Sequence, residues 1–189
     1  DIIVNSDFVK FTMEIVGFNP EKIHVAYLGV EDKFLKLIED KASNQFSNSK
    51  QQILFAGAIS ERKGIEELIQ GFKLLDNKNV ILNIAGPIKT NKQEILDLLK
   101  KTENVKYHGN LLKKDLAKLM LQSSIFIFPS YCEGSARVIF EAMAAGCYII
   151  TTKNSGSIVQ DDSHGKIISP GSELSVMQSL QYSLKNLDL

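Results

Sequence analysis

The stretch Ile125-Phe126-Ile127-Phe128-Pro129-Ser130-Tyr131-Cys132-Glu133-Gly134-Ser135-Ala136-Arg137-Val138-Ile139-Phe140-Glu141-Ala142-Met143-Ala144-Ala145-Gly146-Cys147-Tyr148-Ile149-Ile150-Thr151 reads as strand, loop, helix and strand. Ile125–Phe128 and Cys147–Thr151 are continuous apolar runs of strand length, the pattern of strands covered on both faces. Between them a Pro/Ser/Gly loop leads into a helix predicted from Ser135 to Ala145, with Ser135 at its N-cap. Two strands joined through a helix form a βαβ unit, whose strands lie parallel.

Outward from this unit the alternation continues. Ile53–Ala56, Val80–Ala85, Val105–Tyr107 and Lys166–Ile168 read as further strands. Ile65–Leu75, Lys92–Lys101, Lys113–Ser123 and Glu173–Leu184 read as helices; Ile65, Leu68, Ile69 and Phe72 share one helix face. The expected fold is α/β, a Rossmann-like doubly wound parallel sheet. Ahead of it, Ile2–Val4 and His24–Tyr27 read as strands around a helix, a short helical piece follows within residues 1–40, and Lys41–Lys50 is a polar stretch. Two strands and one helix cannot bury both faces of a sheet. Phe8, Phe11, Ile15 and Phe18 are therefore expected to lie exposed unless they pack on the remaining chain or on a second copy.

The whole chain has 189 residues and balances 22 Lys+Arg against 22 Asp+Glu. Zero net charge argues against a non-specific nucleic-acid partner. No apolar run is long enough to span a bilayer. The N-terminus lacks the basic start of a signal peptide. Two cysteines, Cys132 and Cys147, make no disulfide framework, and no Cys/His spacing suits a structural metal. Cytoplasmic residence is the expectation.

In an open parallel sheet, ligands bind beyond the carboxyl ends of the strands. The loop after Ile53–Ala56 runs from Gly57 to Arg62-Lys63-Gly64 and opens a helix, whose free N–H groups favour an anion. It is either a phosphate site or a solvated basic turn. It is no Walker loop. In the second loop, Glu133 precedes the helix, and the N–H groups of Gly134, Ser135 and Ala136 are expected to face the crevice as orphan donors. Glu141 is the one side chain between Val138 and Thr152 that is charged at neutral pH. A carboxylate in so apolar a run needs hydrogen-bond partners, which a sugar diol or a buried protein group could supply. His108, at a strand end, is a candidate contact for a flat base or a plain loop residue. His24 and His164 carry no catalytic motif.

The order of these segments resembles the donor-binding half of retaining glycosyltransferases of the group 1 family, one domain of a two-domain glycosyltransferase-B fold. Glu133-Gly134 through Glu141-Ala142-Met143-Ala144-Ala145-Gly146 is similar to the family's E-x7-E motif. Gly57 to Lys63-Gly64 resembles its phosphate loop, and Leu28-Gly29-Val30-Glu31 its interdomain hinge. His108-Gly109, Phe128-Pro129-Ser130 and Gly165–Gly171 fall in register.

The resemblance implies residues 1–30 as the end of an N-terminal acceptor domain, 31–51 as hinge and linker, and 52–189 as the donor domain. It implies transfer of a sugar from a nucleoside-diphosphate sugar to a glycan or lipid-linked acceptor, with retention. Glu133 and Lys63 would be the catalytic pair. Gly57, Arg62, Lys63, His108, Gly134, Ser135, Ala136 and Glu141 would bind the donor, with Lys63 on the diphosphate and Glu141 on the ribose. Many members carry Arg where Ala58 stands; Arg62 is the candidate replacement. No metal or other cofactor is expected, and the acceptor would be held by the missing domain. Peripheral membrane association of the intact enzyme, and an inactive isolated chain, also follow from the resemblance. The alternatives are a nucleotide-sugar epimerase of the same fold, or a non-catalytic nucleotide-binding or interaction module.

Overall fold

A computed structural model of the chain describes residues 1–42, 51–161 and 164–186. Six strands, β3 (Gln51–Ala56), β4 (Val80–Ala85), β5 (Val105–Tyr107), β6 (Ile125–Phe128), β7 (Tyr148–Thr152) and β8 (Gly165–Ile168), form one sheet in the order β5-β4-β3-β6-β7-β8. Every pairing is parallel. The order grows outward from β3 to β5, then restarts on the other side at β6. The β3/β6 seam is thus the point where the winding reverses, and there the loops diverge to leave a crevice.

The helices form two layers. α3 (Ile65–Leu75) packs with α4 (Gln93–Lys101) and α7 (Glu173–Asn186). α5 (Lys113–Leu121) and α6 (Arg137–Ala144) pack with α2 (Asp32–Ala42). Burial on both faces explains the unbroken apolar strands, whose Ile53, Leu54, Phe55, Ile125, Phe126 and Ile127 are fully buried. Phe128 stacks on Phe55 with ring centroids 5.6 Å apart.

β1 (Ile2–Val4) and β2 (Ile23–Val25) make a separate two-stranded parallel sheet, bridged by α1 (Asp7–Ile15). Ser6 caps α1 by accepting the Val9 N–H at 3.2 Å. This segment packs on the rest of the chain along one side, where Phe8 and Phe11 border a cleft walled by Thr152 and Lys153. Phe11, Ile15 and Phe18 nevertheless stay largely exposed.

Within the stretch read as hinge and linker, the short helical piece is α2, Asp32–Ala42, whose packing face buries Phe34 and Ile38; residues 43–50 of the polar stretch lie outside the described residues. One expectation needs correction. The helix predicted from Ser135 starts instead at Arg137, with Ala136 at the cap position and no side-chain cap.

Candidate functional site

The basic loop after β3 ends in a 3-10 turn, Glu61–Lys63, closed by Gly64 at φ 66°. A side chain at 64 would put its Cβ 2.2 Å from the Pro129 carbonyl oxygen, so only glycine lets this turn touch the loop after β6. The Tyr131 N–H then donates to the Arg62 carbonyl at 2.9 Å. Two loops 70 residues apart are thereby joined.

The junction organises charge. Oε1 of Glu133 accepts from Lys63 Nζ at 2.6 Å, from Arg62 Nη1 at 2.9 Å and from the Ser130 hydroxyl at 2.8 Å. The Glu133 and Lys63 side chains are only 12% and 13% exposed, whereas Arg62 is 58% exposed. The Lys63–Glu133 pair is therefore poorly screened by solvent, whereas the exposed Arg62 contact is screened much more. Arg62 also donates to the Cys132 carbonyl at 2.6 Å. Lys63 Nζ lies 5.0 Å from the centre of the Phe128 ring, a cation–π contact that steadies its stem.

A cavity of about 340 Å³ opens beside this cluster at the carboxyl ends of β3, β4 and β6. Gly57, Lys63, Glu133, Ser135 and Ala136 line it, together with Arg137. Arg62, His108, Gly134 and Glu141 are not part of its lining. A larger depression of about 680 Å³ between α3 and α4 includes Asn77, Lys78 and Asn104, which precede β4 and β5, so it lies at the amino ends of the strands.

The donors around the cavity differ from the expected set. The Ala136 N–H is not free, since it donates to the Ser155 carbonyl at 3.0 Å, and the Glu133 N–H donates to Asn154 at 2.8 Å. These bonds draw residues 133–136 out of helical geometry, which is why α6 starts late. The Gly134 and Ser135 N–H groups have no partner among the described residues. The Ser135 hydroxyl oxygen is buried and also unpartnered. Unsatisfied donors beside a lysine suit an anionic, oxygen-rich ligand.

Glu141 lies on the second turn of α6, 7% exposed, with no hydrogen-bond partner among the described residues. Burial pushes its carboxyl above the usual range; Lys113 pulls it down, Glu31 pushes it up and Arg137 pulls it down. Glu31 accepts from Lys113 Nζ at 2.5 Å and from Arg137 Nη1 at 2.9 Å, which holds its own carboxyl below the usual range. It links the segment before α2 to α5 and α6.

His108 Nε2 lies 2.8 Å from Asn83 Oδ1. Asn83 Nδ2 donates to Gln52 Oε1 and to the Ile53 carbonyl, so Oδ1 is the acceptor and His108 Nε2 carries the proton. Partial burial and then Lys106 keep the imidazole pKa below its ordinary value. Nδ1 is left as an acceptor.

Sequence reasoning passed over Ser6 and Asn83, and named Glu31 and Ser130 only within family-like segments, with no role for either side chain. Asn83 had a signal, as the only polar residue in Val80–Ala85. Ser130 sits in the quoted loop three residues before Glu133. The contacts of Ser6 with Gly134 and of Glu31 with Lys113 and Arg137 span distant parts of the chain and carried no signal.

Residues 38–187 match the family described as glycosyl transferases group 1, and the chain belongs to that family. It is 29% identical over 170 residues to the capsular polysaccharide biosynthesis glycosyltransferase CapM of Staphylococcus aureus, covering 87% of this chain and 42% of that protein. It is 27% identical over 175 residues to the N-acetylgalactosamine-N,N'-diacetylbacillosaminyl-diphospho-undecaprenol 4-alpha-N-acetylgalactosaminyltransferase of Campylobacter jejuni, covering 90% and 46%. The crystal structure of Anabaena Alr3699/HepE in complex with UDP shares the fold, with a TM-score of 0.81 at 19% identity over 98% of this chain and 54% of that one. The chain thus spans less than half the length of these two curated relatives. Among the described residues no helix is long and apolar enough to cross a membrane.

Proposed function

We propose that this chain is the donor-binding half of an enzyme that transfers a sugar, with retention, from a nucleoside-diphosphate sugar to a glycan or lipid-linked acceptor. One observation carries this: Lys63 from the β3 loop and Glu133 and Ser135 from the β6 loop meet on one cavity at the strand-order reversal. The UDP named with the Anabaena structure and the diphospho-undecaprenol named with the Campylobacter relative favour the donor and acceptor classes. Residues 1–30 would then close the acceptor domain, 31–51 form the connection and 52–189 hold the donor.

In this mechanism Lys63, assisted by Arg62, binds the diphosphate. As the bond from the sugar's anomeric carbon to the β-phosphate oxygen breaks, that oxygen takes the electron pair, the acceptor hydroxyl oxygen bonds to the anomeric carbon, and the proton it sheds passes to the departing phosphate. Lys63 and the free N–H groups of Gly134 and Ser135 stabilise the charge that develops. Glu133, released from Lys63 as the phosphate arrives, turns to the hydroxyls of the transferred sugar. The ribose hydroxyls supply the partners that Glu141 lacks, and His108 Nδ1 faces the base.

Saturation-transfer NMR of the chain with UDP-, GDP- and ADP-sugars tests the proposal. One of the three should transfer signal to its ribose and sugar protons. Absence of transfer to all three, together with no shift in thermal melting at millimolar nucleoside diphosphate, overturns it.

A further inference from the structure

We infer that Ser6 is a positioning residue for the donor site, although it belongs to the two-stranded unit and not to the six-stranded sheet. The inference rests on the donor-binding proposal above. Ser6 is fully buried. Its hydroxyl oxygen accepts the Val9 N–H, and its proton goes to the Gly134 carbonyl. The same carbonyl abuts Gly156, which has φ 64°; a Cβ there would lie 2.3 Å from the Gly134 oxygen. The carbonyl is therefore seated between a hydroxyl donor and a bare Cα.

A trans peptide is planar, so the Gly134 carbonyl and the Ser135 N–H point in opposite directions. Holding the first aims the second. Ser135 lines the cavity, and neither its N–H nor its buried hydroxyl has a partner among the described residues. The Ser6–Gly134 bond thus keeps the Ser135 N–H turned toward a bound diphosphate. Capping α1 accounts for the bond to Val9 but not for the one to Gly134. Because Ser6 immediately precedes α1, a shift of the two-stranded unit would break this bond and release the peptide. The anion site would then sense where that unit sits.

Titration of the 15N-labelled chain with inorganic pyrophosphate tests the inference. Ser6→Ala should move the Ser135 amide resonance in the ligand-free protein and weaken pyrophosphate roughly tenfold or more, as expected for one lost hydrogen bond to a charged group. Ser6→Thr, which keeps the hydroxyl, should restore both. Gly156→Ala crowds the same carbonyl without touching the cap and should reproduce the loss. Should Ser6→Ala fail to fold, Ser6→Asp retains the cap acceptor but not the donor and should show the same loss. A lower melting temperature with unchanged pyrophosphate affinity would reduce Ser6 to a helix cap and overturn the inference alone. Failure of the unmodified chain to bind pyrophosphate would overturn the donor proposal itself, and this inference with it.

Discussion

The Lys63 ammonium lies 2.6 Å from Oε1 of Glu133, in a contact that solvent barely reaches from either side. A carboxylate thus occupies the position an anionic ligand would take beside the lysine. Arg62 and Ser130 hold the same oxygen. On the proposed reading, a diphosphate entering the cavity would exchange with Glu133 for these donors.

Lys63→Ala should weaken nucleoside diphosphate binding much more than nucleoside binding, and added salt should narrow the gap. Calorimetry with matched nucleoside and nucleoside diphosphate at two ionic strengths reads this directly. Equal losses for both ligands would remove Lys63 from phosphate binding. The variant should also melt earlier, by roughly 1 kcal/mol or more of stability, because Glu133 keeps only Arg62 and Ser130.

Glu133→Gln removes the competing charge and keeps the shape. Pyrophosphate should bind more tightly to this variant than to the parent chain. A complete nucleotide sugar should gain less or lose affinity, because the sugar hydroxyls lose a charged acceptor. Calorimetric affinities that fall for both ligands would mean that Glu133 only scaffolds Lys63.

For Glu141, stability and binding should move in opposite directions. Its folded-state carboxyl is raised, so its contribution to stability is full below the ordinary carboxyl range of about 4.3 and is lost as pH rises through the raised value. Glu141→Gln should therefore raise the melting temperature of the ligand-free chain at neutral pH, with the gain fading below about pH 4. The same change should weaken nucleoside binding by about 1.5–3 kcal/mol, the scale of a hydrogen bond to a charged group. Stabilisation without loss of nucleoside affinity would make Glu141 a core residue only.

Gly64→Ala tests the junction between the loops. The left-handed backbone at φ 66° and the 2.2 Å approach to Pro129 both oppose a side chain. A loss of roughly 2 kcal/mol or more is expected from chemical denaturation, with pyrophosphate affinity reduced as Lys63 is displaced. Unchanged stability would show that the turn can shift freely.

Much of the six-stranded sheet was legible because its strands are covered on both faces, so Ile125–Phe128 and Val80–Ala85 read as unbroken apolar runs. Glu141 stood out for the converse reason, as one carboxylate among apolar neighbours, and it is buried on α6. What stayed hidden depended on contacts between loops distant in sequence. Nothing near Ser135 announces that Ser155 will take the Ala136 N–H and delay the helix. Nothing near Asp32 announces the surface against which the short helical piece buries Phe34. The pairing of Glu133 with Lys63 was likewise out of reach, although each had been singled out by itself.

The strand order also dictates a sequence of events in folding. β3 can pair with β4 soon after both leave the ribosome, through contacts such as Gln51 with Val80. Its other edge must wait for β6, where Ile53 meets Ile125. Until then β3 presents an unpaired apolar margin, the kind of surface that invites misassociation during synthesis. The cavity lies along this late seam. It comes into being only when the two halves of the sheet join, so, on the proposed reading, pyrophosphate binding in a refolding experiment should appear only once that seam has closed.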